Sequence, residues 1–107
     1  MTEAERVELA RKAATGLLEV AAHASDRMME RRITVAELRQ VLEVGEVIEV
    51  YPADRYGPSC LIFGFTAAGR PLHVVCSYPS RPQVKIITAY EPNPAEWLSD
   101  FRTRKPQ

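Results

Sequence analysis

Apolar residues near the start of the chain recur at alternating steps of three and four: Val7, Ala10, Ala14, Leu17, Ala21, Ala24 and Met28. That spacing lines them up on one helical face. Thr2 and Glu5 stand at capping-box spacing, in which each side chain accepts an amide left unpaired at a helix start. The pattern predicts a helix from about residue 3 to residue 31, weakened by Gly16 and with a break near His23 to Ser25 left open. Heptad spacing also suits packing against a second chain, so a homodimer through this N-terminal helix is an expectation beside that of a stripe covering the chain's own sheet.

Thr34 and Glu37 repeat the capping box, and Val35, Leu38, Val41 and Leu42 form an apolar face ending at Gly45, which predicts a second helix over about 35 to 44. After Gly45 the period falls to two. Val47 to Tyr51, Cys60 to Thr66, Leu72 to Tyr78 and Val84 to Tyr90 are rich in β-branched and aromatic residues, and Pro52, Gly57-Pro58, Gly69, Pro79 and Pro82 separate them. Four consecutive strands with short links predict an antiparallel meander. Asn93, Pro94 and Glu96 mark a last helix start, with Trp97 and Phe101 one turn apart. The expected fold class is α+β: N-terminal helices, a four-stranded antiparallel meander sheet and a short C-terminal helix, with the helices on the apolar face of the sheet.

A two-residue turn at Ala68-Gly69 sets Phe65 opposite Leu72, Phe63 opposite Val74 and Leu61 opposite Cys76. A four-residue loop from Pro79 to Pro82 then adds Ile87 and Ala89 to this apolar face. The other face receives Gly64, His73, Ser77, Thr88 and Tyr90, with Glu49 and Tyr51 from the first strand. In this register Cys60 and Cys76 point to opposite faces, so they are expected to stay reduced.

Composition narrows the classes. With 107 residues and 46% hydrophobic content the chain suits a single domain. No apolar run approaches the roughly 18 to 20 residues that cross a bilayer, and the first residues are acidic, so a cytoplasmic protein without a membrane partner is expected. Fourteen basic residues balance fourteen acidic ones, so attraction of a polyanion needs a local patch. Arg27, Arg31 and Arg32, and Arg102, Arg104 and Lys105, are the uneven groups. The two cysteines have no zinc spacing, and phosphate-loop, dinucleotide, nucleophile-elbow and metal motifs are missing, so no cofactor and no metal are called.

His23, Arg27 and Arg31 sit at i, i+4 and i+8, which on a helix sets a titratable imidazole and two guanidiniums along one edge. The set suits a phosphate, whose oxygens the arginines would hold while the imidazole moves a proton. The plainer alternative is a solvated face with Arg27 and Arg31 paired to Glu30 or Asp26. His73 is either a site residue or a hydrogen-bonded structural histidine. Tyr51, Tyr78 and Tyr90 either stack on bases or simply pack. Glu49 is the strand-borne carboxylate best placed to act as a base.

Four blocks carry a family resemblance: His23-Ala24-Ser25-Asp26-Arg27-Met28-Met29-Glu30-Arg31 leading to Ile33-Thr34, then Gly45-Glu46-Val47-Ile48-Glu49-Val50-Tyr51, Gly69-Arg70-Pro71-Leu72-His73-Val74-Val75 and Ile86-Ile87-Thr88-Ala89-Tyr90. In this order the chain resembles, over about residues 21 to 100, the bacterial family of small domains called DUF4258. The resemblance implies a distant similarity to RelE/ParE and MqsR-type toxin folds, which include metal-independent endoribonucleases often found beside an antitoxin-like protein. It implies RNA and an antitoxin-like protein as partners, and site positions at His23, Arg27, Arg31, Thr88 and Tyr90. On this view residues 1–20 are a helical extension, 21–101 the family-like core and 102–107 a basic tail. The expected activity is RNA cleavage: His23 or His73 would exchange protons, Arg27 and Arg31 would hold the phosphate, and Tyr90 with Thr88 would position it. The alternative is a non-catalytic module that dimerises or binds a protein and keeps only the toxin-like fold.

Overall fold

Both expected capping boxes form. In the computed structural model, which describes residues 1–55 and 57–106, the Glu5 amide donates to Thr2 Oγ1 at 3.1 Å and the Thr2 amide to Glu5 Oε1 at 2.9 Å. Thr34 and Glu37 repeat the exchange at 3.0 and 3.1 Å. The elements are α1 (Glu3–Ala14), β1 (Leu18–Val20), α2 (Ala22–Glu30), α3 (Val35–Val44), β2 (Glu46–Tyr51), β3 (Ser59–Phe65), β4 (Pro71–Ser77) and β5 (Val84–Tyr90).

The single helix expected over residues 3 to 31 is two helices with a strand between them. Gly16 adopts φ +76°, its amide bonds Ala13 O, and the Leu17 amide reaches back to Lys12 O, which is a Schellman closure. Arg32, at φ +55°, closes α2 in the same way, with bonds from Arg32 N to Met29 O and from Ile33 N to Met28 O. The apolar stripe is divided as a result. Ala24 and Met28 are buried in α2, whereas α1 buries Leu9, Lys12 and Ala13 and leaves Val7 64% exposed. The continuous face on which the dimer expectation rested is not present.

Among the described residues the sheet has five strands in the order β1-β5-β4-β3-β2 and is mixed, which corrects the four-stranded antiparallel expectation: β1 joins β5 in parallel, with Leu18 beside Val84 and Val20 beside Ile86. The register between β3 and β4 also differs by one residue. Phe65 pairs with Pro71, Phe63 with His73 and Cys60 with Cys76, because the connection is a five-residue loop closed by Thr66 N to Arg70 O and Gly69 N to Thr66 O. A one-residue slip turns a strand over. Cys60 and Ile62 therefore join Leu72, Val74, Cys76, Val84, Ile86 and Ala89 against the helices, packed on Leu9, Met28, Leu38, Val41 and Leu42. Phe63 lies on the opposite face, beside His73 and Phe101.

Among the described residues, no C-terminal helix follows β5. Trp97 N reaches Asn93 O for one turn, and then the chain doubles back, with Leu98 N bonded to Thr103 O and Lys105 N to Glu96 O. The Asp100 carboxylate drives the reversal by accepting the Arg102 and Thr103 amides at 2.9 and 3.0 Å. The resulting strap lays Trp97, 1% exposed, over the sheet face away from the helices.

Candidate functional site

Also on this outer face, a pocket of about 240 Å³ opens between β3, β4, β5 and the start of α2. Its polar lining is His23, Asp54, Ser59, Ser77, Arg81 and Lys85. Ser59 and Ser77 are direct cross-strand partners. Ser59 Oγ donates to Asp54 Oδ2 at 2.6 Å, and Ser77 Oγ accepts the Lys85 amide at 2.9 Å. Lys85 alternates with the buried Val84 and Ile86 and so projects outward. The loop bearing Arg81 is gathered from below by buried Lys12, whose ammonium donates to Pro79 O at 2.7 Å and to Arg81 O. His23 enters from the first turn of α2, whose N-cap, Ala21, supplies no side-chain acceptor. Two cations, an exposed imidazole and two hydroxyls thus surround one concavity that carries one carboxylate.

Of the six residues singled out in the sequence, His23 lines this pocket. Arg27 pairs with Glu30 at 3.2 Å on an exposed face. Arg31, the C-cap of α2, donates to Ala89 O at 2.9 Å and to Thr88 Oγ1 at 3.4 Å, so the structure joins Arg31 and Thr88 as a clamp between α2 and β5. Tyr90 and His73 also meet, ring centroids 5.3 Å apart. His73 is fully buried, edge-on to Trp97 at 4.5 Å. Its Nε2 donates to Phe101 O at 2.7 Å, which fixes the tautomer, and its Nδ1 has no partner among the described residues. This is a structural histidine under the strap.

Glu49 is engaged rather than poised as a base. Arg104 donates to both its oxygens, at 2.8 and 3.1 Å, and Tyr51 O–H to one at 2.5 Å. The guanidinium holds the Glu49 carboxyl below the usual carboxylate range, while burial and then Glu49 push the Tyr51 phenol up to about 12. Arg104 also stacks on Trp97 at 4.6 Å, so part of the basic tail serves to seat the strap. Ser77 lies on the polar face expected for it, whereas the pocket residues that the sequence reading does not single out, Asp54, Ser59, Arg81 and Lys85, come from strand ends and loops. The one local signal was a lysine alternating with apolar neighbours on β5.

Burial lowers the pKa of His73 from its ordinary 6.5. Between that value and the lower folded-state value the unfolded chain binds the extra proton, so stability falls as pH drops below about 6.5 and is fully present above it. Urea midpoints should therefore be lower at pH 5.5 than at 7.5 in the parent, and the difference should shrink in His73→Gln. Equal midpoints in the parent would contradict a buried, neutral His73.

These features define a mixed α+β domain with a cationic pocket on one sheet face and an aromatic strap beside it. The family model described as Domain of unknown function (DUF4258) matches residues 20–91, well over half of the chain, and the chain belongs to that family. The match takes in α2 to β5 and every pocket residue, and leaves out α1 and the strap. Comparison with curated proteins and with solved structures gives no match. Among the described residues, no helix is long and apolar enough to cross a membrane, and no group of three potential ligands could hold a metal ion.

Proposed function

We propose that the chain binds the phosphodiester backbone of RNA in this pocket and cleaves it in the manner of toxin-like endoribonucleases, through side chains alone. The observation that carries the reading is the meeting of His23 with Lys85 and Arg81 around one concavity. In such a cleavage the ribose 2′-oxygen bonds to the neighbouring phosphorus, the bond to the 5′-oxygen breaks, and a 2′,3′-cyclic phosphate is left. His23 takes the 2′ proton and the imidazolium protonates the leaving 5′-oxygen, while Lys85 and Arg81 stabilise the charge that builds on the phosphorus oxygens. Ser59 and Ser77 offer hydroxyls to the ribose or phosphate.

A single-stranded RNA oligonucleotide titrated in EDTA at two salt concentrations tests this. The parent is expected to bind with a steep salt dependence, and Lys85→Ala to lose roughly tenfold in affinity. His23→Ala should bind as the parent does and cleave roughly a hundredfold more slowly. Arg11→Ala, which touches only an exposed pair with Glu8, is the control. A parent without salt-dependent RNA affinity would overturn the proposal.

The free edge of β2 favours a second reading, a protein-docking module. Among the described residues this strand has β3 on one side only, with Val50 46% exposed along it and Val44, at the end of α3 just before it, 78% exposed, and an extended antitoxin-like segment could add there as a further strand. Under this reading expression of the chain alone leaves growth unchanged, whereas the nuclease reading predicts arrest.

A further inference from the structure

The pairing of Cys60 directly with Cys76 places two thiols on the helix-facing side of the central strands β3 and β4, with sulfurs 3.9 Å apart. Directly opposed residues of an antiparallel pair have Cα atoms about 4.5 or 5.5 Å apart, and both values fall within the range that a disulfide spans. Side-chain rotation alone can therefore bring the sulfurs to bonding distance. Neither residue is exposed to solvent.

A cation from α1 acts on the pair. Arg6 of α1 donates through Nη2 to Gly45 O at 2.8 Å, and its Nη1 is buried with no hydrogen-bond partner among the described residues. The charge of this guanidinium reaches both thiols. A hydrogen bond from Cys76, together with Arg6, pulls the Cys60 thiol down from its ordinary pKa, while the hydrogen bond to Cys60 and burial push Cys76 well up. This asymmetry favours Cys60 as the attacking sulfur and Cys76 as the second.

We propose that Cys60 and Cys76 form an oxidisable dithiol, which a small hydroperoxide converts to a disulfide stapling β3 to β4. The Cys60 thiolate attacks a peroxide oxygen. The O–O bond breaks, Cys60 becomes a sulfenic acid, and the leaving hydroxide takes up a proton to become water. Cys76 sulfur then attacks Cys60 sulfur, the S–O bond breaks, and the departing hydroxide leaves as water with the Cys76 proton. Two thiols and one hydrogen peroxide give one disulfide and two waters, a two-electron oxidation. Both thiols are fully buried, so the reagent has to be as small as hydrogen peroxide, and a bulky disulfide such as oxidised glutathione is excluded. The pair lies on the sheet face opposite the pocket, and the inference does not rest on RNA binding.

Intact mass and thiol counting on the folded protein after hydrogen peroxide treatment test the proposal. A monomer 2 Da lighter, restored by dithiothreitol, is expected, and oxidised glutathione should leave the folded chain unreacted. Cys76→Ser should stop at a sulfenic acid on Cys60 that a dimedone probe captures. Arg6→Met should slow the peroxide reaction roughly tenfold, and Arg6→Lys should restore most of it. The proposal falls if oxidation advances only in step with the fraction unfolded in urea, if oxidised glutathione reacts as fast, or if folded Arg6→Met reacts at the parental rate. Should Arg6→Met fail to fold, the urea dependence of the parent decides.

Discussion

Replacing Trp97 by Ala is expected to cost about 3–5 kcal/mol, the range for truncating a fully buried large aromatic side chain. For a chain of this length that lowers Tm by roughly 15–20 °C. The size of the effect follows from what the ring does. Trp97 is 1% exposed, stands edge-on to the His73 ring at 4.5 Å, and carries Arg104 on its face. Its removal leaves a cavity over His73 and strips the strap of its main anchor, so the Phe101 carbonyl that accepts from His73 Nε2 is lost with it. Trp97→Phe should cost less than half as much because a ring still fills most of the space. Thermal melts followed by circular dichroism check this, since the chain has a single tryptophan and fluorescence is lost with it. A loss below about 1 kcal/mol would show that the strap does not pack on the sheet in solution.

Gly45→Ala should destabilise by about 3 kcal/mol, the upper end for forcing an extra carbon into a close-packed interior. Backbone conformation is not the reason: Gly45 sits at φ −72° and ψ 170°, which alanine adopts readily, and by chain entropy alone the change would stabilise by about 0.4–1 kcal/mol. Space decides the sign. A Cβ at Gly45 would stand 2.5 Å from Val41 O, 2.7 Å from Ile62 Cγ2 and 2.8 Å from Phe63 O, and two of these three are backbone atoms that move only with α3 and β3. Gly64→Ala is a milder contrast, because its nearest neighbours lie at 3.2 and 3.4 Å. Urea denaturation of both variants checks the order, and a Gly45→Ala protein as stable as the parent would mean that α3 and β3 approach less closely than described.

Short-range chemistry was legible in the sequence and long-range geometry was not. The Thr2–Glu5 and Thr34–Glu37 boxes formed because each depends only on residues three apart. The period-two runs located β2 to β5 to within a residue or so at each end. By propensity Gly16 only weakens a helix, although a glycine is equally the residue that closes a Schellman motif. β1 is three residues long and finds its partner 66 positions away, so no local pattern announces it. The β3–β4 register turned on loop length: Ala67-Ala68-Gly69 allows a two-residue turn, but the Thr66 and Arg70 hydrogen bonds select five, which moved Leu61 and Phe63 to the outer face and put the two cysteines together. The pocket is drawn from four separate segments, and helical spacing could point only to the one that carries His23.

The reach of Lys12 sets a boundary of its own. Its ammonium, supplied by a helix that precedes the family-matched stretch, gathers the carbonyls of Pro79 and Arg81 and so fixes the rim on which Arg81 stands. A fragment trimmed to residues 20–91 would keep every side chain of the pocket and lose the cation on which that rim closes. The family-matched unit and the mechanical unit of this protein therefore do not coincide: the first begins after α1, and the second begins inside it.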